Sequence, residues 1–207
     1  MIKVRNLSFS YNANDEALRD VSLEISKGSW VSILGHNGSG KSTLSKCLVG
    51  LLSPSAGEIH IDDMLLNNEN LPKIRRMMGI VFQNPEIQLF SSTVEDELIF
   101  GAENLCIEKD EIEKRLKEIL TLTGIEDLRL QNPGKLSGGE QQLVAIASVL
   151  MMDPEILLLD EVMSWVDKNN RIKIKSILTD LKNKGKTIVM VDHIDENIEF
   201  ADRIIKI

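Results

Sequence analysis

Residues 30–42 read WVSILGHNGSGKS: five mostly apolar residues, a turn built on three glycines, then Lys41 and Ser42. Trp30 to Leu34 has the compact apolar character of a buried strand, and Ser42 to Val49 (STLSKCLV) continues as a helix. The glycines therefore stand between strand and helix, and residues 35–42 fit G-x-x-x-x-G-K-[ST]. Glycines at this spacing let the backbone curl so that successive N–H groups face phosphate oxygens, with the positive end of the next helix behind them. Lys41 is expected to reach the β- and γ-phosphates of a nucleotide and Ser42 to ligate Mg²⁺. His36 and Asn37 fill variable positions, and neither side chain is assigned chemistry.

Such a loop needs a second contact to the cation and a group that orients water. Residues 156–161 (ILLLDE) supply both: four apolar residues bury a strand, Asp160 at its end holds the metal through water, and Glu161 just beyond polarises the attacking water.

Outward from this pair, residues 2–8 and 21–25 alternate with period two, and 57–62 (GEIHID) is a third short strand, so a small antiparallel sheet is expected at the N-terminus. Residues 106–123 have a helical pattern, with Ile112, Leu116, Ile119 and Leu120 on one face and Glu111–Arg115 and Glu113–Lys117 on the other; Gly124 caps it. A second helix is expected over 140–151, then buried parallel strands at 156–159 and 187–191 with a helix over 172–181 between them. Strands alternating with helices define an α/β fold, a parallel core sheet into which 86–150 inserts a helical subdomain.

The chain of 207 residues, 43% apolar and 27% charged, is of a size and composition for one globular domain. A formal net charge of −8 gives no basic field for phosphate backbones, so nucleic acid is not an expected partner. The longest nearly apolar run, residues 143–152, is about half of what a membrane-spanning helix needs. The N-terminus lacks the apolar core of a signal peptide, and two cysteines make no disulfide framework, so a cytoplasmic site is expected, with Cys47 and Cys106 as buried structural filler.

Residues 136–140 read LSGGE and run into QQLVAIASVL. With the two motifs above, this resembles the signature of ATP-binding-cassette (ABC) ATPases, and the motif order along the chain matches that family. The resemblance implies a P-loop NTPase fold of ABC type with a RecA-like core. It also implies a loop running from Gly35 through Asn37, Gly38, Ser39, Gly40, Lys41 and Ser42 to Thr43 around ATP and Mg²⁺. Tyr11 then stacks on adenine, Gln83 is the Q-loop glutamine near the metal and water, Asp160 and Glu161 form the Walker B pair, Asp167 is the D-loop aspartate and His193 the switch histidine. It implies further that two cassettes, identical or paralogous, sandwich two ATP molecules head to tail, with Ser137, Gly138 and Gly139 of one at the γ-phosphate held by the other.

The stretch 82–90 (FQNPEIQLF), followed by Thr93 to Leu98 (TVEDEL) and Phe100 to Asn104 (FGAEN), is similar to the energy-coupling-factor (ECF) transporters and related cobalt and nickel uptake ATPases. That similarity implies an ATP-hydrolysing importer subunit, peripheral on the cytoplasmic side of the cell membrane, coupled to an integral membrane subunit and a separate substrate-binding membrane component for a vitamin or transition-metal ion. Leu89 and Phe90 either receive the membrane partner or pack into the inserted helices. Another ABC transporter, or a soluble ABC clamp without transport, is the alternative. The chain departs from the family pattern at Val162-Met163, at Ser164-Trp165-Val166 before Asp167, at Leu143 and at Asp192, and it ends at Ile207, short of the family's usual C-terminal hairpin and further domain.

Overall fold

The computed structural model describes residues 2–12, 15–164, 166–192 and 200–207. His193 and Trp165, assigned above to the switch and the D-loop, lie outside the described residues. The chain forms two compact units, one of Met1–Ile80, Glu155–Glu161 and Lys182–Ile207, the other of Val81–Pro154 and Val162–Leu181.

The first unit carries β1 (Ile2–Asn12), β2 (Asp15–Ile25), β3 (Trp30–Leu34), α1 (Lys41–Leu48), β4 (Ala56–Ile61), β5 (Met64–Leu65), α2 (Leu71–Met77), β6 (Met78–Val81), β7 (Ile156–Asp160), β8 (Thr187–Asp192) and β9 (Arg203–Lys206). Four of these strands form an antiparallel sheet in the order β2-β1-β4-β5, and five form a second sheet in the order β6-β7-β8-β3-β9. The β7–β8, β8–β3 and β3–β9 pairings are parallel. Every residue of β3, β7 and β8 is buried, as strands covered on both faces require, which is why they read as nearly continuous apolar runs, with Ser32 inside β3 and Asp160 and Asp192 at the ends of β7 and β8 as buried polar residues. Register brings Leu34 beside Asp192 and Asp160 beside Val191, so the C-terminal ends of these three strands lie along one edge.

The strands β1 and β2 run longer than period-two alternation predicts. Their pairing continues through several register shifts to Asn12 and Asp15, and Asn6, at φ +46°, breaks the alternation where the first shift occurs. A bulge of this kind hides the far half of a hairpin from a strict two-residue pattern.

The second unit holds α3 (Val94–Asn104), α4 (Lys109–Thr123), α5 (Gly138–Leu150) and most of α6 (Lys168–Asn183). On α4, Ile112, Leu116 and Leu120 are buried as expected, Arg115 donates to Glu111 at 2.8 Å, and Gly124 ends the helix at φ +62°. The helix begins three residues later than predicted because Cys106 adopts φ +55° and Glu108 is extended. Cys106 is also exposed, which corrects its assignment as buried filler. Cys47 is fully buried, and burial pushes its thiol up to about 11. The polar first turn of α6 lies before the predicted start at 172, stabilised by Asp167, whose Oδ1 accepts the N–H groups of Asn169 and Asn170 at 2.9 and 3.1 Å. Among the described residues, no helix is long and apolar enough to cross a membrane.

Candidate functional site

In the first unit the loop 35–40 leaves the end of β3 and turns directly into α1. Gly40, the residue before the helix, takes φ +90°, and a Cβ there would lie 2.3 Å from the Ala17 carbonyl oxygen. No L side chain fits both the angle and the gap, which is the physical reason for glycine at the fifth place after Gly35. Lys41 is buried at 4% exposure and its Nζ donates to the carbonyls of Gly35 and His36 at 2.9 and 3.0 Å, so the ammonium sits inside the ring of the loop.

Asp160 and Glu161 meet this loop from the neighbouring part of the sheet. Ser42 Oγ donates to Asp160 Oδ1 at 3.2 Å, and Glu161 Oε1 stands 3.9 Å from Lys41 Nζ. Burial pushes the Asp160 carboxyl up, and Glu161 adds to the rise; the Ser42 hydrogen bond, Lys46 and Lys41 oppose it. Glu161 adopts φ +50° while its N–H donates to the Val191 carbonyl at 2.9 Å. A non-glycine residue in that region costs on the order of 1 kcal/mol. The turn ends β7 abruptly and aims consecutive carboxylates at Ser42 and at Lys41.

Two features fit a nucleotide with a hard cation. Ser39 Oγ, within the loop, is buried with no hydrogen-bond partner, a donor suited to a phosphate oxygen. The Ser42 hydroxyl and Asp160 carboxylate are oxygen ligands of the type Mg²⁺ prefers, and a divalent ion would offset the cost of burying Asp160 in ionised form. Tyr11, 52% exposed, is anchored by its hydroxyl 3.2 Å from Thr43 Oγ1 and by an edge-on contact with Phe9 at 5.0 Å, which leaves ring surface for stacking.

In the second unit, Gln83 lines a cavity of about 420 Å³ together with Pro85, Glu86, Gly138 and Gln141, so the turn after β6 and the start of α5 line one space. The turn carrying Gln83 is tightly tied. Phe82 N–H donates to Gln88 Oε1 at 3.1 Å, Phe82 carbonyl accepts from Gln142 Nε2 at 3.3 Å, and Asn84 Oδ1 accepts the Glu86 N–H at 3.0 Å. Gln88 is thus a staple of the turn. Ser137 caps α5, while Gly139 is buried so closely that a Cβ would lie 2.5 Å from Asn170 Nδ2 and 2.9 Å from Asp167 Oδ2.

Sequence reasoning missed Glu97. It is 5% exposed, and its Oε2 accepts the N–H groups of Phe90 and Ser91 at 2.9 and 2.8 Å, fixing the end of the turn. Its only sequence signal is an acid in the first turns of a helix capped by Thr93. Leu89 is half-buried, whereas Phe90 is 66% exposed and rests edge-on against the partly exposed Phe100 at 4.8 Å.

The family model described as ABC transporter matches residues 18–164. The energy-coupling factor transporter ATP-binding protein EcfA1 of Mycoplasmopsis synoviae is 46% identical over 99% of this chain and 78% of its own length. EcfA of Onion yellows phytoplasma is 45% identical over 97% of this chain and 72% of its own. Among solved structures, cbiO1 from Clostridium perfringens, part of the ABC transporter complex cbiONQ, superposes with TM-score 0.89 at 37% identity, covering 99% of this chain and 83% of that one. A dimeric ATP-binding cassette in a post-hydrolysis state with ADP and Pi superposes with TM-score 0.91 at 34% identity, over all of this chain and 94% of the other.

Proposed function

This chain belongs to the ABC transporter family, as an ATP-hydrolysing subunit of an energy-coupling-factor importer, and from that premise we propose how its residues carry the reaction. The carrying observation is the Ser42–Asp160 hydrogen bond of 3.2 Å, which joins the phosphate loop to the acid at the end of β7. Backbone N–H groups of residues 35–43 cradle the phosphates, Lys41 balances charge at the β- and γ-phosphates, and Ser39 adds a hydroxyl donor. Ser42 and Asp160 would hold Mg²⁺, which would neutralise charge on the phosphate oxygens. Glu161 is the general base: it takes a proton from the attacking water, with Lys41 Nζ 3.9 Å from its carboxylate. Tyr11 stacks on adenine. Gln83 and His193 orient water and sense the γ-phosphate.

Ser137, Gly138 and Gly139 act on the nucleotide of a second cassette, a copy of this chain or a paralogue. The free N–H groups of a helix start and its dipole favour an anion there. A dimeric relative in a post-hydrolysis state supports this arrangement. The cassette docks on the cytoplasmic face of an integral membrane subunit, with a further membrane component that recognises the cargo, a vitamin or transition-metal ion. The exposed Phe90–Phe100 pair, braced by Glu97, supports docking over packing for the tip of the turn, while half-buried Leu89 anchors it.

The test is extraction from membranes in mild detergent with a tag on this chain. The integral subunit should be recovered with it, and Phe90→Ser should reduce the recovered fraction severalfold. Full recovery with Phe90→Ser removes the aromatic tip from the interface, and the absence of any membrane subunit removes the importer assignment of partners.

A further inference from the structure

The first turn of α5 is closed by a reciprocal box of two side chains. Ser137 Oγ accepts the Glu140 N–H at 3.5 Å, and one carboxylate oxygen, Glu140 Oε2, takes both the Ser137 N–H, at 2.8 Å, and the Ser137 hydroxyl proton, at 2.6 Å. A serine hydroxyl has one proton to give. While Glu140 holds it, no other anion receives it. At 2.6 Å from a carboxylate the bond is of the short, charge-assisted kind, and the Glu140 carboxyl is held below the ordinary glutamate range first by this hydroxyl and then by the Ser137 N–H. Ser137 and Gly138 are exposed, so the box faces outward with the charge of half-buried Glu140 beside it.

Head-to-tail action asks for this same hydroxyl at the γ-phosphate of the other cassette. We propose that Glu140 is a positioning residue that opposes closure of the cassette pair, retaining the Ser137 hydroxyl until a γ-phosphate competes it away. The inference rests on the head-to-tail reading above. Closure then exchanges one charged acceptor of the Ser137 hydroxyl for another, so the ATP concentration needed for closure is higher than the helix start alone would require. An amide at position 140 keeps the box, since glutamate and glutamine both serve as its third residue, but it is uncharged and a weaker acceptor.

The experiment follows closure by donor–acceptor fluorescence across the cassette pair, purified with its membrane subunit, in a Glu161→Gln background where ATP is not consumed. Glu140→Gln should lower the half-saturating ATP concentration about fivefold, the difference between a charge-assisted and a neutral hydrogen bond. Ser137→Gly lacks the hydroxyl yet remains a tolerated N-cap, and in that background Glu140→Gln should change nothing. Ser137→Thr keeps both hydroxyl and cap and should preserve the fivefold gain. An unchanged ATP requirement with Glu140→Gln overturns the proposal, as does a gain of equal size with Ser137→Gly, which marks a general charge effect. A pair that closes at no ATP concentration in any variant refutes the head-to-tail reading instead.

Discussion

Replacing Glu161 by glutamine separates its chemical role from its structural one. The amide keeps the size of the side chain, and the backbone bond from the residue's N–H to the Val191 carbonyl, 2.9 Å, does not involve it. The substitution removes one of two adjacent, largely buried carboxylates facing Lys41, and with it a group that raises the Asp160 carboxyl. Asp160 should therefore ionise more readily and ATP should bind at least as tightly. Loss of a general base costs about 10² to 10⁴ in turnover, which at 1.36 kcal/mol per tenfold is about 2.7 to 5.4 kcal/mol of barrier. Phosphate release at saturating ATP, nucleotide titration by fluorescence, and a thermal melt measure the three quantities separately. Turnover within tenfold of the parent, with unimpaired binding, would show that Glu161 is not the base and that the 3.9 Å approach to Lys41 is a structural ion pair only.

Glu97→Gln should destabilise the second unit by about 1 to 3 kcal/mol, because two N–H groups, of Phe90 and Ser91, lose a charged acceptor in a mostly buried place; a lowered melting temperature and reduced recovery of the membrane subunit check it. Asp202 accepts from Trp30 N–H at 2.8 Å and pairs with Lys182, and these partners hold its carboxyl below the ordinary aspartate range, Lys182 first. Its stabilising contribution is therefore present above the unfolded value near 3.8 and lost as pH falls through the depressed folded value. Denaturation curves should show Asp202→Asn less stable than the parent at pH 7, with the gap narrowing below about pH 4.

The fold was legible where a local pattern carries the physics. A strand buried on both faces is mostly apolar, so β3, β7 and β8 stand out; the first turn of α6 and the far ends of β1 and β2 do not, because a polar turn and bulges erase the period. The cassette motifs were equally plain, since each is a short run whose backbone needs specific residues, as Gly40 does at φ +90°.

The sequence by itself determined the residue types at the site and the two kinds of sheet, because glycine geometry, hydrophobic periodicity and a few consecutive residues impose them locally. Only the tertiary structure decided which groups meet. Ser42 and Asp160 are 118 residues apart, Phe82 and Gln142 are 60 apart, and Glu161 is turned to φ +50° by the sheet edge on which it ends. Such pairings follow from strand register and helix docking, which no short window of sequence encodes. The same reason separates the two cysteines: Cys47 faces the core from α1, whereas Cys106 is turned outward at φ +55°.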